Sequence, residues 1–368
     1  MERPLVVNLF GGGGKPNLGS PVAGSEPDKS WAALEAAGFA VETLPAYNWP
    51  WNPAARMHSA FQSVDPLRSL RVLLRRRNAA IICAHMESAL VPLLLRRMFR
   101  FRAPIILWEV PWSPGWAYRE LVARLTISRA DRAVVFSANQ IDLVRQAYGG
   151  NARPAFVPFC VDVNFFRPRL RNNASVPYIL SSGLDKGRDF DLLVKVSAEI
   201  PTPFKIKIAN LPASVSNPKM YPNIEFILEH LNYIEFRDLY SNADIVVITT
   251  HLTPNACGVT SLMEAMAMGK PTIISNNPAL RDYLPPPDAG VVVPIGDAAA
   301  LRAAILDLQR NPKKAAAMGK NARAFAEQRF HPDVHFRAIA DLFWEVAAEA
   351  GTATRPKTKD DELKMSET

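Results

Sequence analysis

Residues 256–274, ACGVTSLMEAMAMGKPTII, decide how the rest of this 368-residue chain reads. Gly258 opens a helical pattern, and Ser261 with Glu264 three residues later has the spacing of a capping box. The helix EAMAM stops at Gly269, and Lys270-Pro271 leads into the apolar run Thr272-Ile273-Ile274. Another apolar run, IVVITT (245–250), precedes it. The pattern is strand, small-residue loop, helix, strand: a βαβ unit with its loop at the carboxyl end of the first strand. Ligands of open α/β sheets, phosphates above all, bind there, because the N–H groups of a helix N-terminus point at them.

The same alternation continues in both directions. Toward the C-terminus come the strand-like runs PTIISN (271–276) and GVVVPI (290–295), then helices over 298–309, 312–330 and 331–350. Toward the N-terminus lie YILSSG (178–183), FKIKIAN (204–210) and NIEFIL (223–228), with helices over 190–199 and 233–241. An earlier set reads LVVNLF (5–10), AVETLP (40–45), AAIICA (79–84), PIILWEV (104–110), RAVVFS (132–137) and PAFVPF (154–159), separated by helical stretches. Strands and helices alternating at this spacing predict parallel, doubly wound sheets, and the length allows two cores. Two further features mark the first half. Leu5–Phe10 runs straight into Gly11-Gly12-Gly13-Gly14-Lys15, a turn that lets backbone approach a ligand closely or is merely flexible. His85 stands at the carboxyl end of AAIICA, where a histidine is either structural or functional.

An apolar fraction of 48% and a charged fraction of 21% are those of an ordinary globular protein. MERPLVVNLF lacks signal-peptide shape, and no apolar run is long enough to span a bilayer, which predicts a cytoplasmic protein. Cys83, Cys160 and Cys257 lie far apart, a spacing that suggests neither a disulfide framework nor a zinc site. The net charge of +8 is concentrated. From Arg68 to Arg102 there are nine arginines against one acid, Glu87, interleaved with apolar residues. Such a surface suits anionic lipid or is a solvated helix face; no nucleic-acid-binding module accompanies it. Residues 351–368 carry four bases and four acids without apolar period, which predicts a disordered tail.

One segment joins the two α/β halves: VPFCVDVNFFRP (157–168). Its Val157, Pro158, Val161, Asp162, Phe166 and Pro168 match the order V-P-x-G-V-D-x-x-x-F-x-P, with Cys160 in place of the glycine. Together with 256–274 it resembles glycosyltransferase family 4, retaining nucleotide-sugar enzymes of GT-B fold. The resemblance implies two Rossmann-like doubly wound domains facing a central cleft. The N-terminal, acceptor-side domain is expected over 1–165 and the nucleotide-sugar-binding domain over 166–330. A C-terminal helix over 331–350 is expected to cross back to the first domain, with the tail after it.

The resemblance also implies roles for residues. In LDKGRD (184–189), Lys186 and Arg188 would grip the diphosphate, although the family's arginine after the first glycine is missing. Gly258, Val259 and Thr260 would offer N–H groups to phosphate. Glu264 matches the second glutamate of the family's E-x7-E pair and would bind the ribose, or it is only a helix cap. The first glutamate, which contacts the donor sugar, falls at Ala256 and is absent; Asn255 beside it can still hydrogen-bond hydroxyls. His85 aligns with the active-site histidine, and Gly12, Gly13 and Gly14 would face the diphosphate across the cleft. No metal or other cofactor is expected. The implied activity moves a hexose-type sugar from a nucleotide-diphosphate donor to a glycan or lipid-linked acceptor at the cytosolic membrane face, the Arg68 to Arg102 region touching anionic lipid. Two rival readings stand beside it: a catalytically silent GT-B protein binding a nucleotide sugar or a partner, and a GT-B nucleotide-sugar epimerase.

Overall fold

A computed structural model describes residues 3–9, 34–44, 71–72, 74–75, 79–84, 86–96, 98–100, 102–108, 117–149, 151–170, 176–183 and 186–356. Each of the twelve apolar runs forms a strand. The first sheet contains β1 (Leu5–Asn8), β2 (Ala40–Thr43), β3 (Ala79–Ala84), β4 (Ile105–Leu107), β5 (Arg132–Val135) and β6 (Pro154–Phe156), in the order β2-β1-β3-β4-β5-β6. The second contains β7 (Ile179–Ser182), β8 (Phe204–Lys207), β9 (Ile224–Ile227), β10 (Ile245–Ile248), β11 (Thr272–Ser275) and β12 (Val291–Val293), in the order β12-β11-β10-β7-β8-β9. All pairings within both sheets are parallel. Helices cover both faces, so the inner strands read as unbroken apolar runs rather than alternating ones. Pro154, which has no N–H to give a ladder, opens an edge strand.

On one face of the first sheet lie α1 (Met86–Leu95), α2 (Ala117–Ile127) and α3 (Asn139–Tyr148), through Leu93, Val122, Ile127 and Val144. In the second domain, α4 (Phe190–Ser197) and α7 (Ala298–Arg310) share one core through Leu193, Val196, Leu301 and Ile305. The opposite core holds Tyr240 of α5 (Tyr233–Asn242), Leu262 and Met266 of α6 (Val259–Ala267), and Ala322 and Ala326 of α8 (Pro312–Arg329).

The last helix, α9 (Pro332–Glu349), covers the remaining face of the first sheet. Its Ile339, Phe343, Trp344 and Ala347 pack with Val6, Phe39, Ile81, Ile106 and Val134. The Trp344 ring lies 4.1 Å from that of Phe39, and its Nε1 donates to Ala37 O at 3.2 Å. On the same helix Glu345 and Glu349 each accept from Arg132 Nη2 at 2.7 Å. Thr352 and Ala353, expected to belong to the tail, pack on the first sheet instead. Thr352 Oγ1 donates to Ala80 O at 2.9 Å and Ala353 joins the α9 core, because the turn after the helix still lies over the first sheet. Residues 357–368 lie outside the described residues.

The two passages between the domains run together. The linker after β6 donates from Val161 N to Phe330 O at 3.0 Å, just ahead of α9. Nδ1 of His335 stands 2.6 Å from Pro158 O; burial lowers the imidazole pKa although that carbonyl works the other way. Arg323 of α8 fastens the linker from the other side, its Nη1 donating to the carbonyls of Val163, Phe166 and Ala267.

Since Phe343 is 0% exposed under the first sheet, Phe343→Ala is expected to cost about 3–5 kcal/mol of stability. Urea unfolding checks this, and the first domain should be the one to melt early.

Candidate functional site

In the second sheet β7 lies between β8 and β10, so the connections leaving β7 and β10 diverge. The crevice at their carboxyl ends is the topological switch point, where an open α/β sheet binds its ligand. Two loops meet there: the one carrying Lys186, Gly187 and Arg188, and the one running from Thr249 to Gly258. They are laced together by main-chain bonds. Asp189 N donates to Thr249 O at 3.0 Å and His251 N to Gly187 O at 2.9 Å, while Thr249 Oγ1 donates to Asp189 O at 2.6 Å.

Arg188 sits beneath this seam and is only 4% exposed. Its Nε donates to Thr249 O at 3.0 Å, Nη2 to Ser181 Oγ at 3.0 Å, and Nη1 to Ser182 O. The guanidinium also lies 5.1 Å from the Phe190 ring centroid. The structure thus turns Arg188 inward to the ends of β7 and β10, away from the cleft surface where the sequence pattern placed it. Two glycines let the loops close over it. A Cβ on Gly187 would meet Cys257 Sγ at 2.5 Å, and one on Gly258 would meet Ile248 Cγ2 at 2.7 Å.

The expected capping box is absent, for a reason of register. Helix α6 begins at Val259 with Gly258 as its left-handed N-cap (φ 82°), so Ser261 is three residues past the cap and there is no side-chain cap bond. Ser261 faces inward and its Oγ donates to Ser182 O at 2.9 Å. Glu264 is half-buried one turn further on, and its Oε2 accepts from Tyr240 Oη at 2.9 Å. Tyr240, fully buried, also shares a hydrogen bond of 2.7 Å with Ser182 Oγ. Burial raises the Glu264 carboxyl to about 8, against the opposing pull of the Tyr240 hydroxyl. Burial, then the neighbouring Glu264, raises the Tyr240 phenol well above its ordinary value. At neutral pH this is largely a neutral hydrogen-bonded cluster at the foot of the site.

Above the cluster opens a cleft of about 640 Å³ between the domains. Lys186, Asn255, Val259 and Thr260, all expected from the sequence, line its C-terminal wall, and Ala256 lies among them. Lys186 and Thr260 are exposed, while Gly258 is buried at the helix start next to the lining residues. Glu264 and Arg188 do not line the cleft. Gly12, Gly13, Gly14 and His85 lie outside the described residues.

The opposite wall comes from residues that sequence reasoning missed: Phe136 and Gln140 after β5, and Phe159 in the linker. Phe136 and Phe159 stack with ring centroids 4.1 Å apart and planes at 26°. Tyr283 braces them from the second domain, accepting from Phe159 N at 3.0 Å and donating to Phe136 O at 2.5 Å. His251, Thr253 and Cys257 complete the second domain's side. Position after a strand was the only signal for Phe136 and Gln140; that they face the second domain follows from docking, which local sequence does not encode. Among the described residues no group of three or more His, Cys, Asp or Glu side chains is placed to hold a metal ion.

Residues 220–325 match the family model for glycosyl transferases group 1, a segment that includes α5, β10, α6 and the cleft wall from His251 to Thr260. No curated protein matches the chain by sequence. Among solved structures, the chain resembles the sucrose-phosphate synthase of Thermosynechococcus elongatus with a TM-score of 0.71 at 18% identity, over 94% of this chain and 100% of that one. HepE of Anabaena, solved in complex with UDP, gives 0.63 at 14%, over 92% and 99%. WaaG, a glycosyltransferase involved in lipopolysaccharide biosynthesis, gives 0.62 at 14%, also over 92% and 99%. The fold is therefore GT-B, and the segment that matches the group 1 model lies within the second domain.

The raised Glu264 pKa has a consequence for stability. Between the ordinary carboxylate value of 4.5 and about 8 the folded state holds a proton that the unfolded chain has released. That contribution is full at low pH and disappears as pH rises through the folded value. Glu264→Gln keeps the shape and the Tyr240 contact without the ionisation. The wild type should therefore lose Tm relative to this variant between about pH 5 and about pH 8, with no further divergence above. Thermal melts of both proteins across that range check it.

Proposed function

We propose that this chain, with its group 1 segment on a GT-B fold, is a retaining glycosyltransferase. It moves a sugar from a nucleotide-diphosphate donor to a glycan or lipid-linked acceptor at the cytosolic membrane face. The observation that carries this reading is the cleft at the second sheet's switch point, with Lys186 and the start of α6 on one wall and the Phe136–Phe159 stack on the other.

The chemistry distributes as follows. Lys186 and the N–H group at Thr260 stabilise the charge that builds on the departing diphosphate; the N–H of Val259, expected to join them, donates instead to Ala256 O at 3.1 Å. Glu264 binds the ribose from the edge of the buried cluster, and Asn255 hydrogen-bonds the sugar. The bond from the anomeric carbon to the diphosphate oxygen breaks while a bond to the acceptor oxygen forms on the same face. The acceptor's proton passes to the leaving phosphate, so no protein nucleophile is needed. The resemblance assigns His85, which follows β3 in sequence, to the reaction centre and Gly12, Gly13 and Gly14 to the diphosphate, and all four lie outside the described residues. Arg188 contributes indirectly by holding the two loops that form the wall. The protein's cations and helix N-terminus meet the charge requirement, and no metal is invoked.

Membrane contact has its own support. The end of α1 and the turn after it expose Leu94, Met98 and Phe99, and the adjoining α2 exposes Leu121. Arg100 and Arg102 are exposed beside them. Two other arginines of the basic region are engaged within the protein, Arg75 with Glu42 at 2.8 Å and Arg96 with Asp131 at 2.7 Å. Apolar side chains rimmed by arginine suit an anionic bilayer surface. A cytoplasmic setting fits Cys83, Cys160 and Cys257, which are thiols rather than disulfides, as a reducing compartment keeps them.

One observation favours the silent-protein alternative: Ala256 lines the cleft where the family has a sugar-binding glutamate. Nucleotide binding and turnover separate the two readings. A thermal-shift panel of UDP, GDP, ADP and their common sugar conjugates should select one base. Stabilisation of about 2.7 kcal/mol is expected at a hundredfold excess over Kd, and Lys186→Ala should weaken diphosphate binding by about tenfold. Selective binding accompanied by transfer or slow hydrolysis of the donor supports the enzyme. Binding without turnover favours the silent protein, and no binding at all defeats both.

A further inference from the structure

The hydroxyl groups of Ser182, Tyr240 and Ser261 meet the Glu264 carboxyl group at the foot of the site. Ser182 ends β7, Tyr240 lies in the last turn of α5, and the other two belong to α6. Each hydroxyl has one proton to give, so the direction of every bond follows by counting. Ser261 gives its proton to Ser182 O at 2.9 Å. Tyr240 gives its own to Glu264 Oε2 at 2.9 Å. Tyr240 Oη then accepts from Ser182 Oγ at 2.7 Å, a better partner for that last proton than Ser261 Oγ at 3.4 Å. The result is a one-way chain from Ser182 through Tyr240 to Glu264, in which each bond polarises the next. Tyr240 is held in it by packing. Its ring is fully buried, with the rings of Phe236 and Phe166 edge-on to it at 5.2 and 6.3 Å.

Oε2 is thereby committed as an acceptor, whether or not Oε1 carries a proton. Oε1 itself is differently placed. Among the described residues nothing donates to it, and the only side-chain polar atoms there that are both sealed from solvent and unpartnered are Arg237 Nε and Thr272 Oγ1. Oε1 is therefore open to solvent. We infer that Tyr240 is a positioning residue for ribose recognition: its phenol holds Glu264 Oε2 so that Oε1 is presented to the ribose hydroxyls of the bound nucleotide. The inference rests on the reading above in which Glu264 binds the ribose. A glutamate side chain has several rotatable bonds, and ordering them during binding would weaken the complex. Here the chain of hydroxyls orders them on folding, before the nucleotide arrives. Discrimination between ribose and a deoxygenated sugar then depends on a buried phenol that never touches the nucleotide.

The test compares UDP with its 2′,3′-dideoxy analogue, or the matching pair for whichever base the thermal-shift panel selects, by calorimetry on the full chain. The wild type should favour the ribose form by about tenfold, because the analogue offers Oε1 no hydroxyl. Tyr240→Phe keeps the ring and its packing but loses the hydroxyl. It should cut that preference by about fivefold while leaving affinity for the dideoxy ligand within about twofold. Glu264→Ala should abolish the preference, and adding Tyr240→Phe to it should change the preference no further, since both act through one contact. Ser182→Ala removes only the head of the chain and should lower the preference less, in the same direction; it decides by the same criteria if Tyr240→Phe does not fold. A lower Tm fits any role for the cluster, whereas a selective loss of ribose preference fits positioning alone. Tyr240→Phe with the preference intact, or with both ligands weakened equally, overturns the inference and leaves the ribose reading standing if Glu264→Ala still abolishes the preference. A wild type without the preference, or Glu264→Ala that retains it, defeats the ribose reading and this inference together.

Discussion

A buried guanidinium governs the geometry of the second domain. Where β7 and β10 part company at the switch point, a gap opens between the loops that leave their carboxyl ends. Arg188 fills that gap with donors to Ser182 O, Ser181 Oγ and Thr249 O. A buried charge is tolerated only where it is well hydrogen-bonded, and the planar fork of an arginine suits several acceptors at once. With the loops pinned, Gly187 and Gly258 can pack against Cys257 and Ile248, and α6 starts at the edge of the cleft. Removing the guanidinium would leave Ser182 O with Ser261 Oγ and Thr249 O with Asp189 N, each one donor short, so the cleft wall draws on a residue that does not line it.

Beneath that wall lies a second layer of polar side chains, Ser182, Tyr240, Ser261 and Glu264, joined by hydrogen bonds. Ser182 links the two layers, because its carbonyl accepts from both Arg188 and Ser261. A polar network of this kind fixes side-chain orientation at the cost of desolvating a carboxylate, which is why Glu264 holds its proton so far above the ordinary range. The shape of the cleft and the ionisation of Glu264 are consequences of the same packing.

Much of this architecture was legible in the sequence because parallel sheets are written in local patterns. All twelve apolar runs became strands, and the linker motif lies between the two sheets. The errors arose where a side chain's partner is distant in sequence. Ser261 and Glu264 have capping spacing, but the helix starts at Gly258 and their partners are Ser182 and Tyr240, in a strand and another helix. Arg188 reads as a free cation in a polar turn until β10 is brought beside β7. Phe136, Gln140 and Phe159 carry no motif at all; their place in the cleft exists only once the domains dock. Thr352 and Ala353 fell in a polar stretch without apolar period, yet the turn after α9 still finds the first sheet.

The paired passages between the domains set how the cleft can open. The chain crosses once in the linker and again ahead of α9, and the strands of that crossing are tied by Val161 N to Phe330 O and by His335 to Pro158. Two straps bound side by side behave like the spine of a book. Sliding one domain along the other would shear both ties, whereas rotation about their common line leaves them intact. Opening the mouth about that line would part the bonds that Ser137, Ala138 and Gln140 make to the second domain while leaving the spine tied.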